Sequence, residues 1–132
     1  MKFLAALFAL FTAAGVAAEV AAVSPQAAAR LVAAGQAVLV DVREPAEWVE
    51  TGVATPAVLL PKSDFDGDQK LWKEFLGQVG AKQIILYCRS GKRAGAVGAA
   101  LAAQGHDVAN AGGFKDWESA GLPIRLVSET RK

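Results

Sequence analysis

Gln83-Ile84-Ile85-Leu86-Tyr87-Cys88, then Arg89-Ser90-Gly91-Lys92-Arg93, then the run from Ala94 to Gln104 read as a buried strand, a polar turn and a helix. The strand follows from four consecutive large apolar or aromatic residues before the cysteine, two of them β-branched. The helix follows from a long series of small helix formers closed by Gly105. The protein's one cysteine therefore stands where a strand ends and a helix begins. In an open α/β sheet that is where ligands and reacting groups gather.

That position favours an anion. The first N–H groups of a helix lack intrahelical partners, and the helix dipole places partial positive charge beside them. Arg89, Lys92 and Arg93 add three cations within five residues. In such surroundings a cysteine pKa of about 8.5 can fall to roughly 3.5–7.5. Gly91 allows a tight turn in which successive N–H groups point at the sulfur. The other reading is a small core residue at a strand end, a poor match to three flanking cations and a glycine.

Working outward, the N-terminus carries the pattern of a secretory leader. Met1-Lys2 is positive, Phe3 to Ala14 is apolar save Thr12, and Val16-Ala17-Ala18 offers small residues before Glu19. The run is shorter than the about 20 residues of a membrane span; a retained anchor is the alternative. The expectation is a signal peptide over 1–18 and a single domain over 19–132, in the periplasm or secreted. Loss of Lys2 from 14 basic residues leaves 13 against 13 acidic ones. Zero net charge gives no global field for nucleic acid or an anionic membrane. One cysteine cannot form an internal disulfide, and in an oxidising compartment an unpaired thiol points to reactivity.

The remaining chain alternates strands with helices. Glu19–Val23 is a short strand; Ser24-Pro25 starts a helix that Gly35 ends. Val38–Asp41 is a strand, Glu44-Pro45 begins a short helix to about Glu50, and Ala57–Leu60 is another strand. Asp68–Val79 reads as an amphipathic helix with Leu71, Trp72, Phe75, Leu76 and Val79 on one face. His106–Asn110 is a last strand and Phe114–Ala120 a last helix. This order predicts a parallel sheet covered on both faces. Gly95 and Gly98 share one helix face, as close approach to the sheet would require.

Other candidates are weaker. Asp64, Asp66 and Asp68 fit the first positions of a calcium loop, but Gln69 and Phe75 occupy its required Gly and Glu positions, so helix capping is expected. One His and one Cys cannot build a zinc cluster, and His106 at a helix-to-strand turn reads as a surface residue. Trp48, Trp72 and Trp117 fall at apolar helix positions and read as core.

Four stretches resemble the rhodanese family of thiosulfate sulfurtransferase-like domains, from about Ser24 to Ile124. Leu39-Val-Asp-Val-Arg-Glu-Pro-Ala-Glu-Trp48 is similar to its first signature and Gly52-Val-Ala-Thr-Pro-Ala-Val-Leu-Leu-Pro61 to its second. Tyr87 to Arg93 resembles the Cys-x-x-Gly-x-Arg loop of single-domain members, and Gly112 to Ile124 the closing motif. The resemblance implies a five-stranded parallel sheet with helices on both faces. It implies that Cys88 takes a sulfane sulfur from a donor such as thiosulfate. The persulfide would be held by N–H groups of Arg89, Ser90, Gly91, Lys92 and Arg93, then relieved by a small thiophilic acceptor or a protein thiol. It implies no metal and no organic cofactor, and a supporting ion pair between Asp41 and Arg43.

Departures from the family pattern fall at Val53, Ala54 and Pro56 in the second signature and at Ala94, where many members have Ser. A non-enzymatic module that carries sulfur or binds a redox partner is the alternative; the complete set of Cys88, Gly91 and Arg93 argues for an enzyme. A phosphatase or arsenate reductase of related fold would need Arg at the place of Ala94.

Overall fold

The computed structural model describes residues 20–129; the leader expected over 1–18 lies outside them. Strand β1 (Ala21–Ala22) leads into α1 (Pro25–Ala33), whose first turn is capped by Ser24 Oγ accepting the Ala27 N–H at 3.1 Å. Then come β2 (Ala37–Asp41), α2 (Pro45–Thr51), β3 (Val53–Ala54), β4 (Val58–Leu59), α3 (Lys62–Asp66) and α4 (Lys70–Gln78). The remainder is β5 (Gln83–Cys88), α5 (Lys92–Ala103), β6 (Val108–Gly113), α6 (Phe114–Ser119) and β7 (Ile124–Arg125).

Five strands form one parallel sheet in the order β1-β6-β5-β2-β4. This is the expected fold class, with β5 at the centre. The period of two along β5 divides the core. Ile84, Leu86 and Cys88 face one layer with Trp72, Val97 and Leu101, and Ile85 and Tyr87 face the other with Ala28, Phe114 and Trp117. Burying each large aliphatic side chain contributes about 1.5–3 kcal/mol. α5 lies close to its layer: a Cβ on Gly98 would meet Val20 at 3.1 Å and Leu86 at 3.4 Å. All three tryptophans are buried.

Several expectations need correction. Leu71 is 48% exposed, off the apolar face that buries Trp72. The helix begins at Lys70, because Asp64 caps it through the N–H groups of Leu71 and Trp72 at 3.1 and 2.9 Å. Ahead of it, α3 was not expected; Pro61 supplies an extended N-cap there. Asp66 pairs with Lys62 at 2.6 Å rather than joining Asp64. The last parallel strand starts at Val108, not His106, and runs through the double glycine to Gly113. β7 returns to pair antiparallel with β3, an unforeseen two-stranded sheet.

The register between β5 and β6 slips beside the cysteine. Leu86 faces Asn110, but Cys88 faces Gly113, so β6 carries one extra residue. Such bulges bend a strand and re-aim its neighbours, often next to reactive sites.

Candidate active site

Cys88 ends β5, and α5 begins four residues later. Its Sγ accepts hydrogen bonds from the Gly91 N–H at 3.0 Å and the Ala94 N–H at 3.4 Å. Gly91 is the N-cap of α5, with no side chain to cap it, so the sulfur takes the place of a capping oxygen at the third helical residue. The turn needs φ of +98° at Gly91, and a Cβ there would stand 3.3 Å from Gly112 Cα. The approach at the next residue of β6 is closer still. A Cβ on Gly113 would lie 2.3 Å from the Arg89 carbonyl oxygen, so the loop rests directly on the end of β6.

The five loop residues divide their tasks. Among them only Gly91 directs its N–H at Sγ; the second N–H comes from Ala94, outside the expected set and fully buried. A serine hydroxyl is missing at Ala94, but its backbone reaches the sulfur. Arg89, Ser90 and Lys92 point to solvent. Arg93 bonds Glu47 on α2 through Nη1–Oε1 and Nη2–Oε2, each 2.8 Å. That double hydrogen bond, with burial opposing it, holds the Glu47 carboxyl down at about 2 and raises Arg93. Glu47 also accepts the Glu44 N–H at 2.9 Å, closing the first turn of α2. Sequence reasoning missed Glu47; its signal was its place three residues after the N-cap Glu44.

Asp41 and Arg43 form a buried pair, 0% and 2% exposed, at 2.9 Å. Arg43 Nε bonds both Asp41 oxygens at 3.1 Å, Nη1 reaches Thr51 Oγ1 and Nη2 the Gly52 carbonyl, both at 2.9 Å. Its guanidinium also lies 4.7 Å from the Phe114 ring centre. Burial works against the Arg43 charge, yet the hydrogen bond and field of Asp41 outweigh it and raise its pKa. Tyr87 is pushed up, first by burial and then by the Asp41 charge; its hydroxyl accepts the Ala54 N–H at 3.0 Å. This group joins β2, β3, β5 and α2 beneath the loop.

A cleft of about 410 Å³ opens beside it, lined by Arg43, Glu47, Arg89, Phe114 and Lys115 among others. Cys88 does not line this cleft and is 1% exposed. The sulfur thus sits beneath the loop, with the cleft at its side. Among the described residues no group of three or more His, Cys, Asp or Glu is placed to hold a metal ion.

A lone thiol held by backbone N–H groups at a strand–helix junction of a parallel sheet defines a class of loop-cradled α/β domains. Within that class, the chain belongs to the rhodanese-like domain family, whose model matches residues 24–120. An uncharacterized protein of Synechocystis sp. is 38% identical over 88 residues, 65% of this chain and 45% of that protein. The chain thus spans about half the length of that curated relative. A rhodanese-related protein from Thermoplasma volcanium shares the fold at TM-score 0.67 and 22% identity, covering 81% of this chain and 99% of that one. The polysulfide-sulfur transferase homodimer from Wolinella succinogenes does so at TM-score 0.65 and 23% identity, covering 86% and 83%.

Proposed function

We propose that this protein is a sulfurtransferase. Cys88 thiolate attacks the outer sulfur of a donor such as thiosulfate; an S–S bond forms to Cys88 and sulfite leaves with the electron pair of the broken bond. A thiophilic acceptor, cyanide in an assay or a small or protein thiol in the cell, then takes the outer sulfur. Cys88 departs as thiolate. The observation that carries this reading is the pair of N–H groups on Cys88 Sγ at the start of α5. Fixed dipoles aimed at a sulfur that is anionic at both ends of the cycle need no reorganisation during transfer. Exposed Arg89 and Lys92 on the loop, and Lys115 in the cleft wall, are cations available to an anionic donor. Neither step requires a metal or organic cofactor. The leader expected over 1–18 assigns the work to the periplasm or the cell exterior, with no nucleic-acid partner and no lasting membrane insertion.

The 1% exposure of Cys88 favours a second reading, a sulfur-carrying or redox-partner module with little turnover of its own. Thiosulfate:cyanide assays separate the two. Sulfur transfer by the purified protein that disappears in Cys88→Ser supports the enzyme; wild-type rates no higher than the variant's support the module.

A further inference from the structure

Asn110 lies on β6 at the residue where the register slips, half-buried beneath the loop. Its side chain makes two hydrogen bonds of opposite sense. Oδ1 accepts the Gly112 N–H at 2.9 Å, and Nδ2 donates to the Gly91 carbonyl at 2.9 Å. Only one orientation of the amide satisfies both partners. The same Gly91 carbonyl accepts the Gly95 N–H at 2.9 Å, the first bond of α5. A Cβ on Gly91 or Gly95 would stand 3.8 or 3.5 Å from Nδ2, so the amide fills the space that these glycines leave.

We infer that Asn110 is a positioning residue for the sulfur. Two donors fix the direction of the Gly91 carbonyl, and φ of +98° then carries the N–H of that residue to Cys88 Sγ at 3.0 Å. Asn110 never touches the reacting atoms; it sets the aim of the closer of the two N–H groups that do. The other account of Asn110 is a turn formed with Gly112 alone. Two substitutions separate these accounts. Asn110→Asp keeps the acceptor for Gly112 and lacks the donor to Gly91. Asn110→Ala lacks both and adds no charge.

The first readout is amide hydrogen exchange by NMR on the purified protein. The Gly91 N–H is expected to exchange about five- to tenfold faster in both variants, and the Gly112 N–H faster in Asn110→Ala alone. Unchanged Gly91 exchange in Asn110→Asp overturns the inference. The second readout rests on the sulfurtransferase reading: kcat for sulfur transfer is expected to fall about tenfold in both variants with KM for the donor unchanged. A fall only in the Asp variant would mark added charge, and a fall only in the Ala variant the turn; either overturns the positioning role, as does no fall in both. A wild type that transfers no sulfur defeats the proposed function, while Gly91 exchange still decides where Asn110 points its donor. Should a variant fail to fold, the wild type suffices. The Asn110 side-chain amide protons are expected to exchange far more slowly than those of exposed Asn and Gln, and free exchange rates overturn the inference.

Discussion

Arg93 at the start of α5 and Glu47 on α2 meet fork to fork, two 2.8 Å contacts across 46 residues of sequence. The pair ties the loop's helix to the helix that follows Asp41 and Arg43. Planar bidentate pairs of this kind are the stronger ion pairs. Arg93→Ala is therefore expected to lower kcat/KM for thiosulfate about tenfold by loosening the loop, and Glu47→Gln to do the same. A loss in Arg93→Ala that Glu47→Gln does not share would show Arg93 acting on the donor itself. Steady-state kinetics on both variants decide it.

The same pair predicts a pH window. Glu47 is held down at about 2 against an ordinary value of 4.5. A carboxylate with a depressed folded-state pKa stabilises the fold above its unfolded pKa, and that contribution is lost as pH falls through the folded value. Both side chains keep partial solvent contact, 31% for Arg93 and 26% for Glu47, so screening reduces the gain. Glu47→Gln is expected to cost about 1 kcal/mol at pH 7. The gap between wild type and variant should close as pH drops from about 4.5 to 2. Denaturant titrations across that range measure it; a gap independent of pH contradicts the assignment.

Beneath the loop, Asp41→Asn leaves the Arg43 charge buried without its counter-ion. Such a change costs about 3–5 kcal/mol, and urea unfolding reads it directly. A cost below about 1 kcal/mol would mean that the neighbouring Thr51 and Gly52 acceptors suffice to hold the guanidinium.

Gly113 and Gly77 form a contrast. A Cβ on Gly113 would collide with the Arg89 carbonyl at 2.3 Å, so Gly113→Ala must push the loop and is expected to reduce sulfur transfer at least tenfold. Gly77, in α4, has nothing within 4 Å of its Cβ direction. Gly77→Ala should stabilise the protein by about 0.5–1 kcal/mol without changing activity. Thermal unfolding and the sulfur-transfer assay on both variants test the pair.

The features legible in the sequence are those written in consecutive residues. The apolar run into Cys88, the Ser24-Pro25 start and the glycine stops locate the strands and helices, and the closeness of Gly98 to the sheet follows from helical spacing. What was hidden depends on residues far apart in the chain. Nothing near Glu47 announces a partner at Arg93, and nothing near Ile124 announces a strand pairing with Val53 and Ala54. Leu71 falls within the apolar spacing, but Trp72, Phe75, Leu76 and Val79 are the side chains that pack on the core, leaving Leu71 half exposed. The second N–H on the sulfur comes from Ala94, a residue with no polar side chain to signal it.

The sulfur chemistry itself is tested by intact mass spectrometry of the purified protein after thiosulfate treatment and removal of excess donor. The account predicts a species heavier by one sulfur atom, absent in Cys88→Ser and discharged by cyanide. A wild-type mass that stays unchanged, or a gain that persists in Cys88→Ser, would contradict it.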